Sequence, residues 1–154
     1  MLTPTAVLLA VVTHDSATLL EDFARVLPAA LEGVDAWSLT IVDSGSNELY
    51  FPGPAGLPTC SGYNPSNPVP FCPSSTVELN AIQISADHSQ DLQILFQITN
   101  STDAVNSGNG AFSDLGASVS AGFVWGLPFF LGHTIWVGIN GTSSSLGVGP
   151  YWAY

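Results

Sequence analysis

An aspartate ends an apolar, β-branched run in the segment LTIVDSGSNELYF, which covers residues 39–51. Asp43 is followed by Ser44, Gly45 and Ser46, residue types that favour a tight turn whose N–H and hydroxyl groups bind the carboxylate. Such a carboxylate would be held, ionisable and exposed at the end of a strand. By itself the tripeptide favours a plain Asx-turn, because Asp and Gly are common in turns.

The context of this turn resembles the catalytic turn of aspartic peptidases, in which two hydrophobic residues precede Asp-[Ser/Thr]-Gly-[Ser/Thr]. In that family a hydrophobic-hydrophobic-Gly element follows the turn and runs beside it, and Val124, Trp125 and Gly126 resemble this element. The resemblance implies a pepsin-like or retropepsin-like lobe with Asp43 as a catalytic carboxylate. It also implies that Gly126 lies against the turn, where a side chain would collide.

Several sequence blocks, in the same order, also resemble the C-terminal part of an uncharacterised bacterial family, DUF3443. These blocks are IVDSGSNELYF, PTCSG with FCPSST, WGLPFFLGHTIWVGING and the terminal GPYWAY. The likeness covers about residues 39–154. The sequence therefore predicts an aspartic-peptidase-like lobe over residues 39–154, preceded by a strand and a helix within residues 1–38.

Peptide hydrolysis of this type needs two carboxylates, one acting as a base toward water and the other as an acid toward the substrate carbonyl. The chain contains one such turn, since Asp87, Asp103 and Asp114 lack a following Ser/Thr-Gly. The second carboxylate would come from a homodimer or from a missing N-terminal lobe.

The sequence is compatible with three functions. The first is an aspartic-peptidase-type hydrolase that cleaves a peptide or protein substrate only when assembled. The second is a non-catalytic secreted module that binds carbohydrate or protein, for which surface tryptophans would serve. The third is an inactive fragment of a two-lobed protein. The tryptophans are otherwise expected in the core or at its rim, at Trp37, Trp125, Trp136 and Trp152.

The hydrophobic pattern predicts a mostly β fold, a pepsin-lobe-like (acid-protease-type) β-barrel with one or two helices. A helix is predicted within residues 15–33, and strands at 5–13, 37–43, 48–51, 76–85 and 91–99. Residues 52–75 are predicted as a long loop, and residues 100–122 as mostly loop. The apolar stretch 123–139 is predicted as two core strands joined by a Gly/Pro bend. A membrane span is not expected there, because its glycines, proline and histidine make a poor membrane helix.

Two cysteines, Cys60 and Cys72, lie in the long loop, where little apolar sequence is present to bury free thiols. This position favours a disulfide over two buried thiols. A metal site is not expected, because two thiols without a nearby histidine fall short of four ligands, and no cofactor is implied. A disulfide favours an extracytoplasmic location (secreted, periplasmic or cell surface), with the export signal upstream of this chain.

The net charge of the chain argues against nucleic acids as partners. The 154 residues contain one basic and twelve acidic side chains, for a formal net charge of −11. Nucleic-acid binding draws its affinity from clusters of Lys and Arg, so we expect no nucleic-acid partner. The same shortage of basic residues argues against anionic membrane surfaces.

Overall fold

The computed structural model describes residues 40–64, 68–84, 91–120 and 122–154. The predicted strand at 5–13, the predicted helix within 15–33, Trp37 and the residues 85–90 between two predicted strands lie outside the described residues. In chain order the described elements are β1 (Thr40–Val42), β2 (Leu49–Phe51), β3 (Val69–Pro70), β4 (Val77–Ile84), β5 (Asp91–Ile98), α1 (Ser101–Asn106), β6 (Gly116–Ser118), β7 (Phe123–Trp125), α2 (Leu127–Phe130), β8 (Trp136–Gly138), β9 (Ser143–Ser144), β10 (Gly147–Val148) and β11 (Tyr151–Ala153).

A five-stranded mixed sheet, with the strand order β1-β7-β2-β6-β3, carries the predicted site. Strand β7 is parallel to β1 and antiparallel to β2, so it lies between two strands that are consecutive in the chain. Strand β6 is parallel to β2 and antiparallel to β3. The turn between β1 and β2 therefore spans the width of an inserted third strand.

Strands β4 and β5 form a long antiparallel hairpin that packs against this sheet. Their register runs from Val77 opposite Ile98 to Ile84 opposite Asp91. Strand β5 alternates in part, because Ile94 and Ile98 are buried while Gln93 and Gln97 are exposed. Leu92, which shares a face with Ile94, is nevertheless 48% exposed. The hydrophobic face of this strand therefore closes one side of the core.

The core is a cluster of aliphatic and aromatic side chains between the sheet and the hairpin. Trp125 is its largest fully buried member, with 2% of its surface exposed, and its ring contacts those of Phe96, Phe123 and Phe129. The buried cluster consists of Val42, Leu49, Phe51, Phe71, Ile94, Ile98, Trp125 and Phe129.

The fold is mostly β with two short helices in the described residues, which confirms the predicted class. The predicted barrel is not closed by these strands, which form the five-stranded sheet and three separate two-stranded sheets. In the described part of the chain, the outer strands of the larger sheet are short, because β1 has three residues and β3 has two. Pro70 in β3 also lacks the N–H that a further strand would need.

The described part of residues 100–122 is mostly loop, as predicted, but it also contains α1 and β6. Asn100 caps α1 through its side chain, which accepts hydrogen bonds from the backbone N–H groups of Thr102 and Asp103. Strand β6 consists of small residues because its neighbours approach closely, and a Cβ on Gly116 would lie 2.6 Å from Ile98 Cδ1. Tertiary pairing forms this strand despite its weak β propensity.

The prediction of two core strands within residues 123–139 is also wrong in part. The first strand is β7, but the Gly/Pro bend is the short helix α2, which has Pro128 in its first turn. The second strand is β8, and it lies at the surface, with Trp136 58% exposed and Val137 52% exposed. No described helix is long and apolar enough to cross a membrane.

The predicted disulfide between Cys60 and Cys72 is confirmed, with a Cα–Cα distance of 4.9 Å. Backbone hydrogen bonds from Cys60 N to Pro70 O and from Cys72 N to Pro58 O, each 2.8 Å, align the two segments that it joins. The disulfide and these two hydrogen bonds thus hold residues 58–60 beside residues 70–72 within the long loop.

Candidate functional site

Asp43 lies directly after β1, where the strand leaves the sheet. Val42 anchors the end of the strand with 1% of its surface exposed, and the backbone N–H of Asp43 donates to Trp125 O at 2.9 Å. This bond extends the β1–β7 pairing by one residue. The position of the Asp43 backbone is therefore set by the sheet.

Both carboxylate oxygens of Asp43 accept hydrogen bonds from the turn that follows. The N–H of Gly45 donates to Oδ1 at 3.0 Å, and the hydroxyl of Ser46 donates to Oδ2 at 2.7 Å. The N–H of Ser46 also donates to the backbone oxygen of Asp43 at 3.2 Å, while Ser44 is exposed. These are the contacts of an Asx-turn, and they fix the carboxylate in one orientation at the strand end.

The segment Val124–Gly126 runs beside this turn, as the sequence resemblance implies. Val42 is paired with Trp125 in register, and the N–H of Leu127 donates to Ser46 O at 2.7 Å. A Cβ on Gly126 would lie 2.7 Å from Ser46 O and would overlap the carbonyl oxygen of Glu48. The glycine is therefore required by space, because its φ of −79° is open to any residue.

Two ionisable side chains that sequence reasoning missed stand near Asp43. Burial raises the pKa of Glu48. The pKa of Tyr50 is also raised, first by burial and then by the negative charges of Glu48 and Asp43. Alternation along β2 could have indicated them, because Leu49 and Phe51 point into the core and leave Glu48 and Tyr50 for the opposite face.

The disulfide and His133 make their contacts away from this turn. The disulfide adjoins α1, where Cys72 Sγ lies 3.4 Å from Thr102 Oγ1. His133 hydrogen bonds through Nδ1 to Phe129 O at 2.8 Å. In the part of the chain that the structure describes, no group of three or more His, Cys, Asp or Glu side chains is placed to hold a metal ion.

A comparison with protein families matches residues 11–154 to the family described as "Protein of unknown function (DUF3443)". The chain belongs to this family. The match begins well before residue 39, so the family likeness covers more of the N-terminal segment than the sequence blocks predict. Searches of curated proteins and of solved structures found no match.

Within this family member, the described geometry can hold one carboxylate rigidly at the end of a strand. The groups around it are hydrogen-bond donors from the turn, a half-buried glutamate and a tyrosine. A carboxylate in this setting could accept a proton from a water molecule. Asp43 can therefore supply half of an acid–base pair.

Proposed function

We propose that this chain is an aspartic-peptidase-like lobe in which Asp43 is the catalytic carboxylate. In this proposal residues 39–154 form the lobe, Ser44–Ser46 support the carboxylate, and Val124–Gly126 pack beside it. The observation that carries the proposal is the insertion of β7 between β1 and β2, with Gly126 against the backbone of the Asp43 turn. An ordinary hairpin turn needs no such inserted strand, so the arrangement favours a built site over an Asx-turn alone.

The chemistry requires a second carboxylate from a second copy or from another lobe. Two carboxylates in contact cannot both be ionised, so the pair retains one proton, and the ionised member activates water. The protonated member donates its proton to the carbonyl oxygen while the ionised member takes a proton from water, and the water oxygen bonds to the carbonyl carbon. The C–N bond then breaks as the second carboxyl passes its proton to the leaving nitrogen, and the first carboxylate recovers a proton from the hydroxyl group as the C=O bond re-forms. Activity then has an acidic optimum, and the isolated monomer does not cleave peptides.

The test is digestion of a peptide library at acidic and neutral pH, with light scattering to report the oligomeric state. The assembled protein should cleave in acid, and Asp43→Asn should abolish cleavage without changing the assembly. The matched control is Asp91→Asn, because Asp91 is an exposed carboxylate at the start of β5. Cleavage by a verified monomer, or by the Asp43→Asn variant, would contradict the assignment.

The disulfide supports an extracytoplasmic location as part of this proposal, because such bonds persist in oxidising compartments. Cellular fractionation of the native host tests it directly, with alkylation before lysis to trap the thiol state. Recovery of the protein in the cytosol with two alkylated cysteines would reject this location.

A non-catalytic binding module is the second candidate, and the exposed ring of Trp136 favours it. The described tryptophans otherwise lie in the core, at Trp125, or half-buried, at Trp152. A glycan or protein ligand that stacks on Trp136 would be bound equally well by Asp43→Asn. Binding that disappears in Trp136→Ala and persists in Asp43→Asn would separate this function from the peptidase proposal.

A further inference from the structure

The segment between α2 and β11 is the most exposed apolar part of the described chain. We name residues 131–150 the arm, and none of its residues from 131 to 148 is buried. Five large hydrophobic side chains in the arm are more than half exposed. They are Trp136, Val137, Ile139, Leu146 and Val148.

The arm does not cover its own hydrophobic surface. Its strands belong to two-stranded ribbons, β8 with β11 and β9 with β10, and β9 and β10 have two residues each. Adjacent residues of a strand point to opposite faces, and Trp136 and Val137 of β8 are both more than half exposed. Two-stranded ribbons are marginally stable in water unless something packs against them. Each face of β8 thus presents an exposed apolar side chain among the described residues.

Charge is distributed unevenly between the arm and the rest of the chain. Every acidic residue and the single basic residue lie at or before Asp114, so residues 115–154 contain no Asp, Glu, Lys or Arg. His133 is the only histidine in the arm, and its Nδ1 is hydrogen-bonded to Phe129 O. Two copies with a charge of −11 each repel through most of their surfaces. An interface made of arm residues brings no Asp or Glu side chain of the arm opposite another.

We propose that the arm is a homodimer interface, in which the arm of one copy packs against the arm of a second. A two-fold axis brings the same patch of both copies together, which suits a surface that is apolar and uncharged. The arm has about 20 residues, and a standard interface uses about 20 to 30 residues a side. Neither β8 nor β11 pairs with a further strand of the described residues, so the ribbon edges can also pair across the axis.

The proposed interface does not depend on the proposed peptidase function. It is inferred from the exposure and charge of the arm, and it is tested by measuring the oligomeric state of the chain. If both proposals hold, the second copy also brings a second Asp43. The chain connects the two regions closely, since α2 follows Gly126 and leads directly into the arm.

The test is analytical ultracentrifugation of the whole chain at neutral pH over a range of micromolar concentrations. We expect a reversible dimer that tightens as salt is added, because salt screens the repulsion between the acidic surfaces. Ile139→Asp should weaken the dimer about tenfold or more, because it places like charges at the interface. The matched control is Val105→Asp in α1, since Val105 is 68% exposed and Ile139 is 69% exposed.

Val148→Asp provides a second arm variant, at a side chain that is 65% exposed. Circular dichroism and an intact disulfide should show that each variant is folded. If one of the two arm variants is unfolded, the other one is used for the test. The proposal is overturned by a monomer at all concentrations, which would mean that another segment of the chain or a different protein covers the arm. It is also overturned by a dimer that both arm variants leave intact, or by a dimer that Val105→Asp weakens equally.

Discussion

Replacing Gly126 by alanine places a methyl group against the backbone of the Asp43 turn. The new Cβ would lie 2.7 Å from Ser46 O and 2.9 Å from the carbonyl carbon of Glu48. Neither neighbour is a flexible side chain that could rotate away. The turn must therefore open or β7 must shift.

The expected cost follows from these contacts. Overpacking a filled site costs about 1–3 kcal/mol, and the high end applies because the obstacle is backbone. A shift would also stretch the 2.7 Å hydrogen bond from Leu127 N to Ser46 O, which contributes about 1 kcal/mol. We expect Gly126→Ala to lower the free energy of unfolding by about 3 kcal/mol. For a chain of this size the melting temperature would then fall by roughly 6–12 °C.

Urea denaturation followed by tryptophan fluorescence measures this cost, because Trp125 lies in the core next to the mutated residue. Gly110→Ala is the matched control, since a Cβ there meets no atom within 4 Å. Both substitutions restrict the unfolded chain in the same way, and the control alone should gain about 0.4–1 kcal/mol. The difference between the two variants isolates the collision. If Gly126→Ala is as stable as Gly110→Ala, the close approach of Gly126 to the turn is refuted.

Three further predictions concern the disulfide, the cap of α1 and the half-buried glutamate. Replacing Cys60 and Cys72 by serine should lower the free energy of unfolding by about 2–3 kcal/mol, measured in urea, because the unfolded chain loses the closure of a short loop; unchanged stability would contradict this. Asn100→Ala should cost about 1 kcal/mol or more, because it removes the helix cap and the hydrogen bond that the Asn100 amide donates to Pro73 O at 3.2 Å. Asn100→Asp keeps the acceptor oxygen and loses only that donor, so it should lose less; equal losses would assign the cost to the donated bond and not to the cap. Burial raises the pKa of Glu48, so the folded state holds this proton more tightly than the unfolded chain, and its stabilising effect is lost as pH rises through the folded pKa. Glu48→Gln should therefore lose less stability than the unmodified chain between acidic and neutral pH in parallel urea titrations, and identical losses would show that Glu48 is not desolvated.

Local sequence patterns predicted the elements whose signal lies within a few residues. The β4–β5 hairpin follows from two apolar runs at strand spacing, in which Ile94 and Ile98 point inward and Gln93 and Gln97 outward because one face meets the core. The alternation is incomplete, since the apolar Leu95 is 64% exposed. The disulfide follows from two cysteines in a loop that cannot bury thiols. Strand β6 was missed because its residues are small and its formation depends on partners distant in sequence.

For the candidate site, the sequence by itself determined the residue types: an aspartate at a strand end, donors in the following turn, and a glycine that ends a later apolar strand. These are local features, and turn chemistry and a motif resemblance are enough to recognise them. The resemblance also placed Gly126 against this turn. Only the tertiary structure decided that β7 enters between β1 and β2, and that Tyr50 comes under the charge of Asp43. It also decided that Trp136 and Ile139, apolar in sequence, lie outside the core. The physical reason is that burial and strand order depend on contacts between distant segments, whereas hydrophobicity and turn propensity are properties of each segment alone.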